Sequence, residues 1–443
     1  MRRNTAMTRR GFLGRTLTAA AAFPAIIPGS ALGLNGAVAP SNRVTLACIG
    51  VGDRGHYLLT EALQCKEAQI VAACDVKAER RDAAAATINE FYGNKDCVTF
   101  NEHEAVTSRK DIDGVVIASC DHWHVLHALA AVRAGKGVYV EKPLGLTAAQ
   151  DQAMRAAVKK HNAVFQFGTQ QRSDAKFRKA CELVRGGAIG ELHTIYAWAP
   201  PSVAGGPTEP APVPDTLDYD RWLGPAPAVP HTFERESNKW WWHISDYALG
   251  FIAGWGIHPV DIALWGAGDR MRTPFQVEGT GQYPVEGLCD TATDWKATCV
   301  YDSGLTVEFR AAPAPRDWLE RFQAATEHGT AFVGDRGWVQ VNRREMTCGP
   351  AELAKAEVPE SAMLQKSNHH MRDFVTAVRE KRAPVSHIDD AVTGDLFCHA
   401  CDIALRMNRR LRWDSAAERF ENADEANARL TRPMRAPWSL EEE

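Results

Sequence analysis

The chain has 443 residues, of which 45% are hydrophobic and 24% are charged, and its formal net charge is -4. This length suffices for two domains with their own cores, because a domain usually holds about 100–200 residues. The balanced charge argues against a nucleic-acid-binding protein, which needs a basic face. We expect no membrane span in the mature chain.

Residues 1–39 are predicted to be an export leader. Met1–Asn35 contains five arginines and no acid, and Arg9-Arg10 precedes a weakly apolar run, Thr16–Ile27. A paired arginine before a short apolar run is typical of a twin-arginine signal, and the run is too short to span a bilayer. We therefore predict export to the periplasm by the twin-arginine machinery; the alternative is a disordered basic tail. Removal of the five arginines takes the net charge from -4 to -9.

Residues 40–165 are predicted to form a Rossmann-type domain. Short, continuous apolar runs alternate with helical patterns, which is typical of a parallel, doubly wound sheet covered on both faces. The predicted strands are Val44–Ile49, Gln69–Cys74, Val115–Ala118 and Gly137–Val140, and the predicted helices include His56–Cys65 and His124–Arg133.

Residues 166–443 have a different pattern and are predicted to form a second α/β domain. It begins with a strand at Gln166–Thr169, followed by a surface loop rich in proline and glycine at 199–230. Apolar and polar residues then alternate, as on one face of an antiparallel sheet. The predicted strands are 295–301, 305–311, 331–333 and 338–341, and the closing helices are 368–379 and 391–406.

The eleven cysteines are scattered rather than paired by spacing. Buried free thiols are tolerable in an exported protein that folds in the reducing cytosol. Cys398 and Cys401 form a C-x-x-C inside a helical pattern, without a second cysteine pair. We assign this pair to core packing rather than to zinc, and predict no metal site.

A glycine-rich turn, Gly50-Val51-Gly52-Asp53-Arg54-Gly55, lies between the first predicted strand and a helix. Its glycines permit a tight turn, close approach of a pyrophosphate and close helix–strand packing, with the phosphates at the helix N-terminus. Asp75 follows Gly55 by 20 residues, at a strand end. Its carboxylate would accept hydrogen bonds from ribose hydroxyls and repel a 2′-phosphate, which favours NAD; Arg80 and Arg81 nearby leave NADP open.

Glu141-Lys142-Pro143 follows a predicted strand at the carboxyl edge of the sheet, where open α/β sheets bind ligands. A lysine beside a nicotinamide and a substrate hydroxyl can stabilise developing alkoxide charge. A surface lysine before a proline turn is the alternative.

Together these motifs resemble the Gfo/Idh/MocA family, named for glucose–fructose oxidoreductase and inositol dehydrogenase. The resemblance covers nearly all of the mature chain. It implies a Rossmann domain followed by an α/β domain with a large open sheet often used for homo-oligomerisation, bound NAD(H) or NADP(H), and sugars, inositols or related polyols as substrates. The matching segments are Gly50–Gly55, Asp121-His122-Trp123-His124, Ala134-Gly135-Lys136, Glu141-Lys142-Pro143-Leu144, Gly256-Ile257-His258-Pro259-x-Asp261, Gly334-x-x-Gly337-Trp338 and Leu411–Asp414.

The resemblance implies that Lys142 and His258 lie beside the reacting carbon and that His124 and Glu141 belong to the cofactor site. With an ordinary pKa of about 6.5, His258 is suited to general acid–base catalysis; capping the following helix is the alternative. Asp261 follows at i+3 and is assigned as its partner. Arg172 is a candidate binder of a hydroxyl or carboxylate, with a plain surface arginine as the alternative.

One departure concerns the acid that many dehydrogenases of this family carry four residues before the histidine. This chain has Gly254 there. The aromatic segment Trp240–Tyr247 contains three candidate substrate-binding residues, His243, Asp246 and Tyr247, and its rings suit either sugar stacking or a core.

The leading interpretation is therefore an exported oxidoreductase acting on a sugar or polyol. A first alternative is an NAD-dependent glycoside hydrolase or lyase that oxidises its sugar transiently, with no net redox. A second is a non-catalytic sugar-binding protein on the same fold.

Overall fold

The apolar runs of the N-terminal part form a six-stranded sheet in which all neighbouring strands are parallel. The computed structural model describes residues 42–324 and 327–441, so the predicted leader lies outside the described residues. The strand order β3-β2-β1-β4-β5-β6 is that of a dinucleotide-binding doubly wound sheet, which confirms the predicted Rossmann fold. The strands are β1 Val44–Ile49, β2 Ala68–Cys74, β3 Val98–Phe100, β4 Gly114–Ile117, β5 Gly137–Val140 and β6 Phe165–Phe167.

The prediction that the strand near residue 166 opens the second domain was wrong. Strand β6 pairs with β5, with Val138 opposite Phe165, and so forms the edge of the first sheet. Its three residues are all buried, and a buried apolar strand next to β5 extends the parallel sheet. The helices between these strands are α1 Asp53–Leu63, α2 Ala78–Tyr92, α3 His103–Thr107, α4 Asp121–Arg133 and α5 Ala148–His161.

A second sheet has nine strands in the order β13-β12-β11-β7-β10-β9-β8-β14-β15. Within this second sheet, β7 and β10 are the only described strands that pair in parallel, which confirms the predicted open, mostly antiparallel sheet. The strands are β7 Leu192–Ala199, β8 Phe275–Gln282, β9 Asp294–Tyr301, β10 Thr306–Ala311, β11 Gly329–Gly334, β12 Gly337–Val341, β13 Met346–Gly349, β14 Leu411–Asp414 and β15 Arg419–Phe420.

Helices Ala175–Arg185, Ile257–Ala267 and Ile388–Arg406 pack on one face of this sheet, and Arg316–Phe322 packs on the other, where Trp318 contacts Tyr196 and Trp198. In β9 every second residue is buried, so its inner face packs on the helical layer. Phe374 lies on a helix from late in the chain but packs in the core of the first sheet. None of the helices in the described residues is long and apolar enough to cross a membrane. The remaining helices are α6 Ala175–Arg185, α7 Tyr219–Leu223, α8 Phe251–Gly254, α9 Ile257–Ala267, α10 Arg316–Phe322, α11 His370–Glu380, α12 Ile388–Arg406 and α13 Asp424–Asn427.

A buried ion cluster ties the segment after β6 to two of these helices. Arg172 donates to Asp261 on α9 through Nε (2.8 Å) and Nη2 (2.7 Å), and to Asp390 on α12 through Nη1 (2.6 Å). The Arg172 and Asp261 side chains are only 1% and 2% exposed. Burial raises the pKa of Asp261, and Arg172 opposes that rise. The carboxylate of Asp261, predicted to be the partner of His258, instead pairs with Arg172 in a buried ion pair.

We predict that Asp261→Ala lowers the free energy of unfolding by about 3–5 kcal/mol, because it leaves Arg172 charged and partly unpaired in the core. Urea unfolding measures the change. The matched control is Glu320→Ala, which breaks the exposed Arg316–Glu320 pair and should cost under about 1 kcal/mol. Equal effects of the two substitutions would contradict the structural role.

Candidate active site

At two positions of the glycine-rich turn between β1 and α1, the backbone leaves room only for glycine. Gly50 has φ +76°, and a Cβ there would lie 2.4 Å from the backbone nitrogen of Ser119. A Cβ on Gly55 would lie 1.9 Å from the carbonyl oxygen of Gly50. These close approaches bring α1 directly against the carboxyl edge of the sheet.

The N-terminus of α1 fits a pyrophosphate. Gly52 is its N-cap and supplies no side-chain hydrogen bond, so the first N–H groups of α1 lack an intrahelical acceptor and a side-chain cap. A helix N-terminus of this kind favours phosphate through N–H donors and the helix dipole. Arg80 adds a guanidinium here, since a Cβ on Gly52 would lie 3.0 Å from its Nη1.

Asp75 lies at the carboxyl end of β2, in the wall of the same cleft. Its Oδ2 accepts a hydrogen bond from Val51 N and its Oδ1 from Lys77 N, both at 2.9 Å. Burial raises the pKa of Asp75, and these backbone donors and nearby Arg80 counteract the rise. Each oxygen retains a lone pair suited to a ribose hydroxyl. Arg81 instead donates to the Asp75 carbonyl, at 3.1 Å.

Residues 200–247, here called the strap, close the opposite side of this cleft, which has a volume of about 270 Å³. The strap pairs with the Rossmann domain through its backbone: Ala78 N donates to Thr216 O (2.8 Å) and Asp218 N to Val76 O (3.0 Å). Asn238 Nδ2 donates to Asp53 Oδ2 at 2.7 Å. Asp53 in the glycine-rich turn therefore binds the strap.

A C-terminal segment, residues 432–438, fastens the strap in turn. Arg435 Nε donates to Gly224 O at 2.8 Å, and Arg435 Nη2 donates to Asp220 O at 2.7 Å. Trp438 packs edge-on against Trp123 of α4, with ring centroids 4.7 Å apart. The strap is thus held between the Rossmann domain and a distant part of the sequence.

Lys142 follows β5 and reaches across the cleft to the second domain. Its Nζ donates to Gly254 O on α8 at 2.7 Å and lies 5.8 Å from the centroid of the Trp242 ring. The position that lacks the expected acid therefore contributes a backbone carbonyl instead. Burial lowers the pKa of Lys142, while the carboxylates of Glu141 and Asp121 partly restore it.

Glu141 and His124 hold the turn that carries Lys142. Arg54 donates to Glu141 Oε1 from Nε (2.8 Å) and Nη2 (2.7 Å). Burial alone would raise the pKa of Glu141, but Arg54 and Lys142 keep it below its ordinary value. The His124 ring lies between Pro143 O (2.7 Å) and Ser119 O (3.0 Å). Both side chains line the cleft.

His258 lies in the first turn of α9, where Gly256 is the N-cap, and its side chain lines the same cleft as Lys142. Its Nε2 is 3.3 Å from Arg343 Nη2. Because a guanidinium only donates, Nε2 is the acceptor and Nδ1 carries the proton. Nδ1 is buried and has no partner in the described residues. Burial lowers the pKa of His258 well below its ordinary value, and Lys142 and Arg343 lower it further.

Two charged residues of the cleft, Asp121 and Arg343, were not predicted as site residues from the sequence. Asp121 is the buried first residue of α4 and lines the cleft. Its carboxylate is one of the two that raise the pKa of Lys142. Its place just after β4, at the carboxyl edge of the sheet, was a signal that went unused. Arg343 follows β12, and its guanidinium lies 4.8 Å from the centroid of the Trp255 ring. No motif marks it.

Several predicted substrate residues do not line the cleft. The guanidinium of Arg172 pairs with Asp261 and Asp390 in the buried ion cluster. His243 packs against Phe251 at 4.7 Å between ring centroids, and burial lowers its pKa to about 4. Tyr247 is fully buried, and Arg235 donates to its hydroxyl at 3.0 Å. Asp246 has Asp290, Arg432 and Arg235 as its charged neighbours. The aromatic segment reaches the cleft through other rings, those of Trp241 and Trp242.

We predict that Arg343→Gln raises the pKa of His258, because it removes one of the positive charges that disfavour the imidazolium. NMR titration of histidine-labelled protein, with the resonance assigned by His258→Gln, measures the shift. Arg344→Gln is the matched control, since Arg344 is largely exposed and pairs with Glu327. An unchanged titration in Arg343→Gln would show that the two side chains are not in contact.

Comparison with known proteins matches this architecture to one family. The model described as "Oxidoreductase family, NAD-binding Rossmann fold" matches residues 44–169. The model described as "Oxidoreductase family, C-terminal alpha/beta domain" matches residues 188–313 and 351–440. Both models carry the Gfo/Idh/MocA name, and together they span most of the chain.

Curated relatives match over a shorter region. An inositol 2-dehydrogenase from Salmonella typhimurium is 31% identical over 150 residues, 33% of this chain and 43% of that protein. A myo-inositol 2-dehydrogenase from Thermotoga maritima is 28% identical over 179 residues, 40% and 49% of the two chains. The matched region thus covers less than half of these relatives.

Solved structures share the fold over almost their whole length. Scyllo-inositol dehydrogenase from Lactobacillus casei, with bound NAD(H) and scyllo-inositol, has a TM-score of 0.57 at 17% identity and covers 84% of this chain and 99% of its own. Aldose–aldose oxidoreductase from Caulobacter crescentus has a TM-score of 0.59 at 19% identity, covering 83% and 99%. These structures show the shared fold, and the two family models show that the chain belongs to the Gfo/Idh/MocA family of oxidoreductases, whose N-terminal domain is an NAD-binding Rossmann fold.

Proposed function

We propose that the protein is an exported, NAD-dependent oxidoreductase that acts on a CH–OH group of a sugar, inositol or related polyol. The observation that carries the proposal is that Lys142 and His258, whose buried Nδ1 has no partner in the described residues, line the cleft that also holds the glycine-rich turn and Asp75. When bound, NAD accepts or supplies the hydride; the side chains handle the proton and the orientation of the substrate.

We assign proton transfer to Lys142. Burial lowers its pKa, so its neutral form is more accessible than that of a solvated lysine. The hydrogen bond to Gly254 O fixes the amine and leaves its lone pair for a substrate hydroxyl. The sequence analysis gave this role to His258, but the lone pair of His258 Nε2 faces Arg343. His258 is therefore assigned as a donor that orients the substrate oxygen through Nδ1–H.

The indole rings support a sugar-like substrate. Trp242 lies beside Lys142, and Trp255 lies 5.7 Å from the His258 ring, between centroids. Both rings line the cleft and are only half-buried, so each presents apolar surface to a ligand. Pyranose and cyclitol faces carry C–H groups that pack on such rings, while their hydroxyls need the polar groups between them.

The strap supports a cofactor that stays bound. It contacts the glycine-rich turn through Asn238 and the strand end beyond Asp75 through Asp218. Free nicotinamide cofactor is scarce outside the cytosol, so an exported enzyme benefits from retaining NAD. A retained cofactor also suits the alternative of a glycoside hydrolase or lyase, in which the sugar is oxidised and reduced again within one turnover.

The proposed activity is tested on the purified mature protein. Denaturation of the protein should release NAD, which mass spectrometry identifies. A panel of sugars and polyols should be screened in parallel for NADH formation and for glycoside cleavage. Net NADH formation supports the oxidoreductase, and cleavage without net redox supports the alternative. A protein that carries no nucleotide and binds NAD only at millimolar concentration would overturn both.

We predict that Lys142→Ala and His258→Ala each lower turnover by about 100-fold or more, the scale of losing an acid–base group or an essential donor. His258→Gln should stay within about 10-fold of the wild type, because its amide still donates a hydrogen bond. Steady-state kinetics on cofactor-loaded protein measure these effects. If His258→Gln is as impaired as His258→Ala, the histidine transfers the proton and the assignment of roles is wrong.

Export is the second part of the proposal. We predict that replacing Arg9 and Arg10 with lysine leaves precursor in the cytoplasm, because the arginine pair is an address read by a receptor. Cell fractionation with immunoblotting measures the distribution. The matched control replaces Arg2 and Arg3 with lysine, the other pair in the segment. Unchanged periplasmic yield after the first replacement would refute the twin-arginine signal.

A further inference from the structure

Three buried polar side chains behind the Lys142 turn have no role in the proposed reaction. They are Asp151 on α5 and Asp395 and His399 on α12, with exposures of 0%, 1% and 4%. One ligand-type atom from each lies within 4.8 Å of those of the other two. This group, here called the Asp–Asp–His cluster, lies outside the cofactor cleft.

The cluster leaves several buried atoms without hydrogen-bond partners in the described residues. They are both carboxylate oxygens of Asp151, Oδ1 of Asp395 and Nε2 of His399. Buried polar atoms are normally paired, because an unpaired one costs the free energy of its desolvation. Two carboxylates in a dry site are especially costly, since both carry negative charge.

The spacing within the cluster fits a cation better than a direct hydrogen bond. His399 Nε2 is 3.4 Å from Asp151 Oδ2, without the geometry of a hydrogen bond. Two ligands bound to zinc at about 2.1 Å in a tetrahedron lie about 3.4 Å apart. A divalent cation also balances the two carboxylates, so that the filled site is neutral.

The cluster is connected to the catalytic turn. Asp395 Oδ2 accepts hydrogen bonds from Leu144 N (2.7 Å) and Gly145 N (3.2 Å), two and three residues beyond Lys142. A Cβ on Gly145 would lie 2.5 Å from Asp151 Oδ1, so the turn packs directly on the carboxylate. Any ion held here would fix the backbone that carries Lys142.

We propose that Asp151, Asp395 and His399 bind a structural divalent cation that anchors the Lys142 turn to α5 and α12. One imidazole and two carboxylates form a mixed nitrogen–oxygen donor set, which favours zinc. All three donor residues are buried and none of them lines the cleft, so the site serves the fold and does not touch the substrate.

The test measures metal in the whole chain, produced in cells grown with zinc and purified without a metal-affinity step. Elemental analysis should give about one zinc per chain, and His399→Gln and Asp151→Asn should each reduce it below about 0.2. His387→Gln, on the exposed residue that precedes α12, is the matched control and should keep its metal. Chelation of the wild-type protein should lower its Tm by about 5 °C or more, and zinc should restore it.

Another divalent cation with the same stoichiometry and the same dependence on His399 would support the site and replace zinc. Less than about 0.1 metal per chain in the wild type, with no zinc uptake after chelation, would overturn the proposal and indicate protonated carboxyl groups. Full metal content in a folded His399→Gln protein would also overturn it. These readouts do not depend on the substrate, and NAD content measured on the same samples tests the proposed function separately.

Discussion

The hydrogen bond from Lys142 Nζ to Gly254 O is the constraint on which the active-site cleft depends. It joins the carboxyl edge of the parallel sheet to the helices of the second domain, and its 2.7 Å length leaves the ammonium no freedom to turn to solvent. Because the lysine is buried, its remaining charge must be balanced by Glu141 and Asp121. Glu141 in turn requires Arg54, so the glycine-rich turn, the lysine and the second domain form one electrostatic unit.

The fold could be predicted from the sequence because its signals are local. Continuous apolar runs predict the parallel strands, and alternation of apolar and polar residues predicts the second sheet. The spacing of the glycines predicts the position of the cofactor-binding turn. Strand β6 was assigned to the wrong sheet because three residues carry no periodicity that identifies their neighbour. Pairing partners depend on the tertiary arrangement, which a short apolar run does not encode by itself.

The site was less predictable, because polar partners are chosen in three dimensions. Asp261 shares a helix with His258, yet its carboxylate meets Arg172, which lies 89 residues away in the sequence. Arg343 reaches His258 from the turn after β12, across 85 residues. Spacing along a helix predicts which residues share a face, but not which charges arrive from elsewhere. Gly254 illustrates the same limit, since the missing carboxylate is replaced by a main-chain atom that no side-chain pattern reveals.

Because residues near the end of the sequence hold the strap, the contacts of the strap cannot all form until translation is nearly finished. Asp220, in the strap, is held by Arg435, which is 215 residues further along the chain. A ribosome therefore releases the whole strap long before it makes Arg435, and until then the strap has its contacts with the Rossmann domain but lacks this second fastening. Nascent chains generally fold domain by domain from the N-terminus. Here the six parallel strands are complete by residue 167, but the core of their sheet also needs Phe374, and the strap is secured from both sides only in the last stage of translation.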